Sequence, residues 1–72
     1  MSEPRNRRLG NPLPEVDQAR VRTLIRELGE HDASVVLGIS DRTLVRCAGG
    51  FPVYAGTAAL VRQRLRERGK AA

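Results

Sequence analysis

A chain of 72 residues with 13 basic against 8 acidic side chains has room for one small, basic domain and no second core. Its single cysteine excludes an internal disulfide and suits a reducing compartment, and one phenylalanine and one tyrosine leave the core to aliphatic side chains. No stretch has the apolar length of a membrane span, and residues 1–14 are too polar for the apolar region of a signal peptide, so a cytoplasmic, nucleoid-associated protein without membrane contact is expected.

Residues 1–14, MSEPRNRRLGNPLP, hold three of the four prolines and no apolar period. They read as a flexible basic N-terminal arm. Arg5, Arg7 and Arg8 would either follow a phosphate backbone or enter a minor groove, or belong to a solvated tail. Pro14 suits a helix start, and Glu15 and Asp17 complement the positive end of the helix that follows. Val21, Leu24, Ile25 and Leu28 recur at the helical spacing, Val16 extends the stripe and Gly29 stops it, which predicts a first helix over 15–28.

The next stretch, EHDASVVLGISDRTLVRCAG over 30–49, carries the densest signal. A short helix over 31–37 turns Ala33 and Leu37 inward, and the small Ser34 allows a close approach of another helix. Gly38 permits a tight turn with a positive backbone angle, and Ile39 faces inward after it. Ser40 caps a third helix over 41–48, with only half a capping box because Thr43 stands where a glutamate would reach back. Leu44 and Cys47 point inward. Ser40, Asp41, Arg42, Thr43, Val45 and Arg46 are left on the outer face. This is the pattern of a helix-turn-helix whose second helix is free to enter a DNA major groove.

On that reading Arg42, in the first turn, is the best candidate for a base contact, because arginine paired with guanine O6 and N7 is the commonest specific contact. Arg46 lies one turn on and would meet a base or a phosphate, Val45 a thymine methyl, and Asp41 a cytosine amino group or Arg42 itself. His31 at the start of the second helix would donate to a phosphate or stand exposed. Asp32 reads as a local cap. The plainer reading of the arginines is surface ion pairing, worth about 0–1 kcal/mol each. With one histidine and one cysteine no metal set or cofactor is expected.

Ala48, Gly49 and Gly50 end the third helix. Phe51 and Val53 are expected to fold back into the core, with Tyr54 bonding a phosphate or the domain itself. Gly56 and Thr57 read as a turn and cap before a last helix over 58–68, lined inside by Ala58, Val61 and Leu65 with Leu60 beside them. Arg62, Arg64, Arg66 and Arg68 spread around that helix as a solvated surface, and residues 69–72 should fray. Basic charge thus gathers on the arm, the third helix and the last helix, while the span from 15 to 37 is net acidic. One positive face toward a polyanion follows from that asymmetry.

The runs Val35-Val36-Leu37-Gly38-Ile39-Ser40, Arg42-Thr43-Leu44-Val45-Arg46, Gly49-Gly50-Phe51-Pro52-Val53 and Thr57-Ala58-Ala59-Leu60-Val61 resemble the XRE or lambda-repressor-like DNA-binding family of bacteria and phages. The resemblance covers residues 15–68. It implies a compact all-α domain with a central helix-turn-helix and a transcription regulator, a repressor, that binds double-stranded DNA as a homodimer. Two departures stand. Glu30-His31-Asp32 occupies the place where the family often carries a DNA-contacting glutamine, and four helices are found against the usual five, which leaves dimerisation open. The alternative function is a helix-turn-helix scaffold that binds another transcription regulator through its acidic first helix and the Phe51–Tyr54 loop. An enzyme is not expected, because no Gly-rich phosphate loop, nucleophile–base pair or carboxylate pair is apparent.

Overall fold

The computed structural model describes residues 10–71, so Arg5, Arg7 and Arg8 lie outside the described residues. Four helices follow one another: α1 (Glu15–Leu28), α2 (Glu30–Leu37), α3 (Asp41–Gly49) and α4 (Ala55–Ala71). The domain is all-α, with no strand among the described residues. α1 packs on each of the other three helices, and α2 on α3 and α4. Leu13, Val21, Leu24, Ala33, Leu37, Leu44, Cys47, Val53, Val61 and Leu65 make one aliphatic core. None of the described helices is long and apolar enough to cross a membrane.

The domain reaches further toward the N-terminus than position 15. Leu13 is 2% exposed, and its carbonyl accepts a 2.7 Å hydrogen bond from the Gln18 side chain. The Gly10 N–H donates to Val53 O at 2.9 Å, and the Val53 N–H donates to Asn11 O at 3.3 Å. These bonds tie residues 10–13 to the loop before α4, so the expected arm ends earlier than residue 14. A leucine between two prolines gives no periodic signal, and one buried side chain was enough to dock the segment.

α1 corrects the sequence reading at neighbouring positions. Val16 is 58% exposed, whereas Asp17 is 6% exposed. Asp17, Val21, Leu24 and Leu28 share the inner face, and Val16 lies about 100° around the helix from Asp17. The buried carboxylate has a partner the sequence could not show: Arg62 Nε of α4 lies 3.1 Å from Asp17 Oδ2, with Arg20 at 4.0 Å on the other oxygen. Arg62 is therefore structural rather than simply solvated. Replacing Arg62 by leucine should cost about 1–3 kcal/mol, less than a fully buried pair because Arg20 remains and Arg62 is half in water. Asp17→Asn should cost less, since no buried charge is left behind. Urea unfolding of the two variants checks this order.

α4 starts at Ala55 rather than 58 and continues to Ala71 rather than fraying from 69. Gly56 and Thr57 lie inside its first turn, and the Ala58 N–H bonds Tyr54 O at 2.9 Å. The anchoring of Val53 explains the early start, because it delivers Tyr54 directly to the cap position. Phe51 is a further correction. It is 54% exposed while Val53 is 2% exposed, because Val53 alone fills the core position that this loop offers.

Candidate functional site

The α2–turn–α3 unit is built as its sequence spacing requires. Gly38 closes α2 in the left-handed region at φ 71°. The Gly38 N–H bonds Val35 O at 3.1 Å and the Ile39 N–H bonds Ser34 O at 3.0 Å, so two of the four orphan carbonyls at this helix end are satisfied. Ala33, Leu37, Leu44 and Cys47 are fully buried, and Ser34 is 3% exposed. The small Ser34 fits here because its hydroxyl donates to His31 O at 2.6 Å, leaving no unsatisfied polar group in the helix crossing. A β-carbon on Gly38 would meet Leu60 at 3.7 Å, an ordinary contact. The cost of Gly38→Ala is thus backbone strain alone, about 1–2 kcal/mol, read as a lowered melting temperature with the helical spectrum unchanged.

The turn sets α3 so that its first turn and that of α2 share one exposed face. His31 Nδ1 and Asp41 Oδ1 are 4.0 Å apart, with side chains 80% and 59% exposed. The first turns of α2 and α3 therefore lie side by side at the surface. Ser40 caps α3 as its sequence suggested: its Oγ accepts from the Thr43 N–H at 3.1 Å and donates to Thr43 Oγ1 at 2.9 Å. The Thr43 hydroxyl thus turns back to the cap. No side chain caps α2, so Asp32 does not take the capping part expected of it.

The two arginines of α3 have different surroundings. Arg42 is exposed, and none of the hydrogen bonds or ion pairs among the described residues engages it. Arg46 folds along its own helix toward the following loop. Its Nη2 donates to Pro52 O at 2.9 Å, and its guanidinium stands 5.9 Å from the centre of the Phe51 ring. Arg46 is therefore half-buried and occupied, while Arg42 and the 49% exposed Val45 project. The first turns are electrically mixed: Glu30 and Asp32 begin α2 beside His31, and Asp41 begins α3 beside Arg42, acids that suit helix N-termini and oppose a close phosphate.

Sequence reasoning missed the props behind this unit. Arg22 Nη1 of α1 donates to Ala48 O at 2.8 Å, closing the C-terminal end of α3 from another helix. Gln18 lies against Gly50, which ends α3 in the left-handed region at φ 79°. Both depend on how α1 crosses α3, so no local signal could have given them.

Cys47 is buried, and burial pushes its thiol above the ordinary value of 9.0 while Arg46 pulls part of the way back. A raised pKa in the folded state means that the unfolded chain loses its proton first. The stability tied to this thiol is therefore intact below pH 9 and falls as pH rises through the folded value. Cys47→Ala should lower stability at pH 7 and flatten its decline above pH 9, measured by urea titration across pH. Among the described residues no group of His, Cys, Asp or Glu side chains could hold a metal ion.

No family model matches the chain, and no curated protein or solved structure matches it either.

Proposed function

We propose that this protein is a sequence-specific DNA-binding transcription regulator that reads the major groove with α3. The observation that carries the reading is the meeting of the first turns of α2 and α3 at the surface, His31 4.0 Å from Asp41, across a glycine turn with φ 71° and with the helix crossing buried behind it. That arrangement supports the entry of α3 into a groove while the N–H groups of α2 approach a phosphate. Arg42 is the base-reading residue, Val45 offers an apolar contact to a thymine methyl, and His31 sits where a phosphate would pass. Arg46 acts mainly as a positioning residue, holding the Phe51–Pro52 loop against α3. Arg5, Arg7 and Arg8 add phosphate contacts from the arm, and the protein acts in the cytoplasm as a repressor that occupies its operator, as a homodimer when two half-sites are present.

A second reading is favoured by one specific observation, the exposed Asp41 carboxylate at the start of α3, 4.0 Å from His31 of α2. It makes the same face a docking site for another regulator with a basic surface. Titration of a labelled random duplex at two salt concentrations separates the two. Under the first reading wild type binds, log K falls by about 0.9 per log unit of salt for each phosphate neutralised, and Arg42→Ala weakens binding. Under the second, wild type fails to bind duplex even at low salt.

A further inference from the structure

We propose that the open groove between α1 and the last turns of α4 docks an acidic amphipathic helix of a partner protein. The groove encloses about 720 Å³. Val16, Ala19, Leu24 and Leu65 form its floor. α1 therefore has two apolar lines: Val21 and Leu24 face the core, and Val16, Ala19 and Thr23 face outward at the helical spacing. A second line of small and apolar side chains on an already packed helix is surface left for a partner. α4 supplies the opposite wall, because its helix runs on to Ala71 beyond Leu65, the last core residue.

Charge selects the occupant. The rim carries Arg20, Arg66 and Arg68 against Glu27, a net positive edge around an apolar floor. A helix with an apolar stripe at i, i+3, i+4 and i+7 flanked by Glu or Asp complements both features. A second copy of this chain fits less well. Its α4 would set arginine against arginine, and its α1 carries Arg20, Arg22 and Arg26 beside its acids. A phosphate backbone would meet the arginines but leave the apolar floor unused. No residue of α2 or α3 lines the groove, so the inference stands apart from the DNA reading.

The test uses the full chain and a labelled helical peptide with leucines at i, i+3, i+4 and i+7 flanked by glutamates, beside the same peptide with lysines in their place. Fluorescence anisotropy should show the glutamate peptide binding about tenfold or more tighter than the lysine peptide. Ala19→Glu, on an exposed site, should weaken the glutamate peptide about tenfold. Arg66→Glu with Arg68→Glu, both on the solvated end of α4, should reverse the preference between the peptides even if Ala19→Glu disturbs folding. Equal binding of the two peptides, or no binding of either, overturns the proposal. So does concentration-dependent dimerisation lost in Ala19→Glu, which gives the groove to a second copy. Duplex binding lost in Ala19→Glu would give it to DNA and overturn it likewise.

Discussion

Leu44→Ala is expected to leave much of the protein unfolded at room temperature. Leu44 is fully buried at the centre of the α2–α3 crossing, in one core with Leu37, Cys47 and Val61. Removing three carbons there costs about 2–5 kcal/mol, the transfer term plus the cavity left behind. A domain of this size holds only about 3–5 kcal/mol in total, so the two quantities are of the same order. Relaxation cannot recover much, because the crossing is held by the Gly38 turn on one side and by the Arg22–Ala48 bond on the other. Val45→Ala, one residue further along the same helix but 49% exposed, should change stability by no more than about 0.5 kcal/mol. Urea midpoints of the two variants measure the contrast. Equal midpoints would mean that the inward face of α3 has been misassigned.

The second large effect is on binding. Arg42→Ala should lower affinity for a selected duplex site by about 1–3 kcal/mol, roughly five- to 150-fold, and relax selectivity at one base pair. Its stability should match wild type, since nothing among the described residues leans on the guanidinium. Arg46→Ala should show the reverse balance. It removes the bond to Pro52 O and the ring contact with Phe51, which costs about 1–2 kcal/mol of stability. Any loss of DNA affinity there would arise through the loosened loop. Two arginines four residues apart on one helix thus separate into a reader and a brace, a distinction that spacing alone could not make.

The fold was legible where local chemistry decides it. The apolar spacing of Val21, Leu24 and Leu28, the left-handed Gly38 and the Ser40 cap are each determined by residues within a few positions, and α1 to α3 begin and end within a residue of the expected bounds. What was not legible depends on partners distant in sequence. Asp17 became an inner-face residue because Arg62 reaches it from another helix. Leu13 joined the core because Val53 pairs with the backbone at Gly10 and Asn11. Phe51 stayed out because Val53 took the only inward place in that loop, although an aromatic residue in an aliphatic protein reads naturally as core. At the candidate site, the outward faces of Arg42 and Val45 followed from helical period. The mixed charge around them follows from how the turn brings the first residues of α2 against those of α3, which sequence order keeps ten positions apart.

Backbone amide shifts of the labelled protein, followed by NMR as a random duplex is added at low salt, test the central claim most directly. A DNA-reading α3 predicts that the changes gather at residues 30–33 and 40–46, shrink as salt is raised, and lose their component at residues 40–46 first in Arg42→Ala. Changes confined to α1 and α4, or none at all in wild type at low salt, would contradict it.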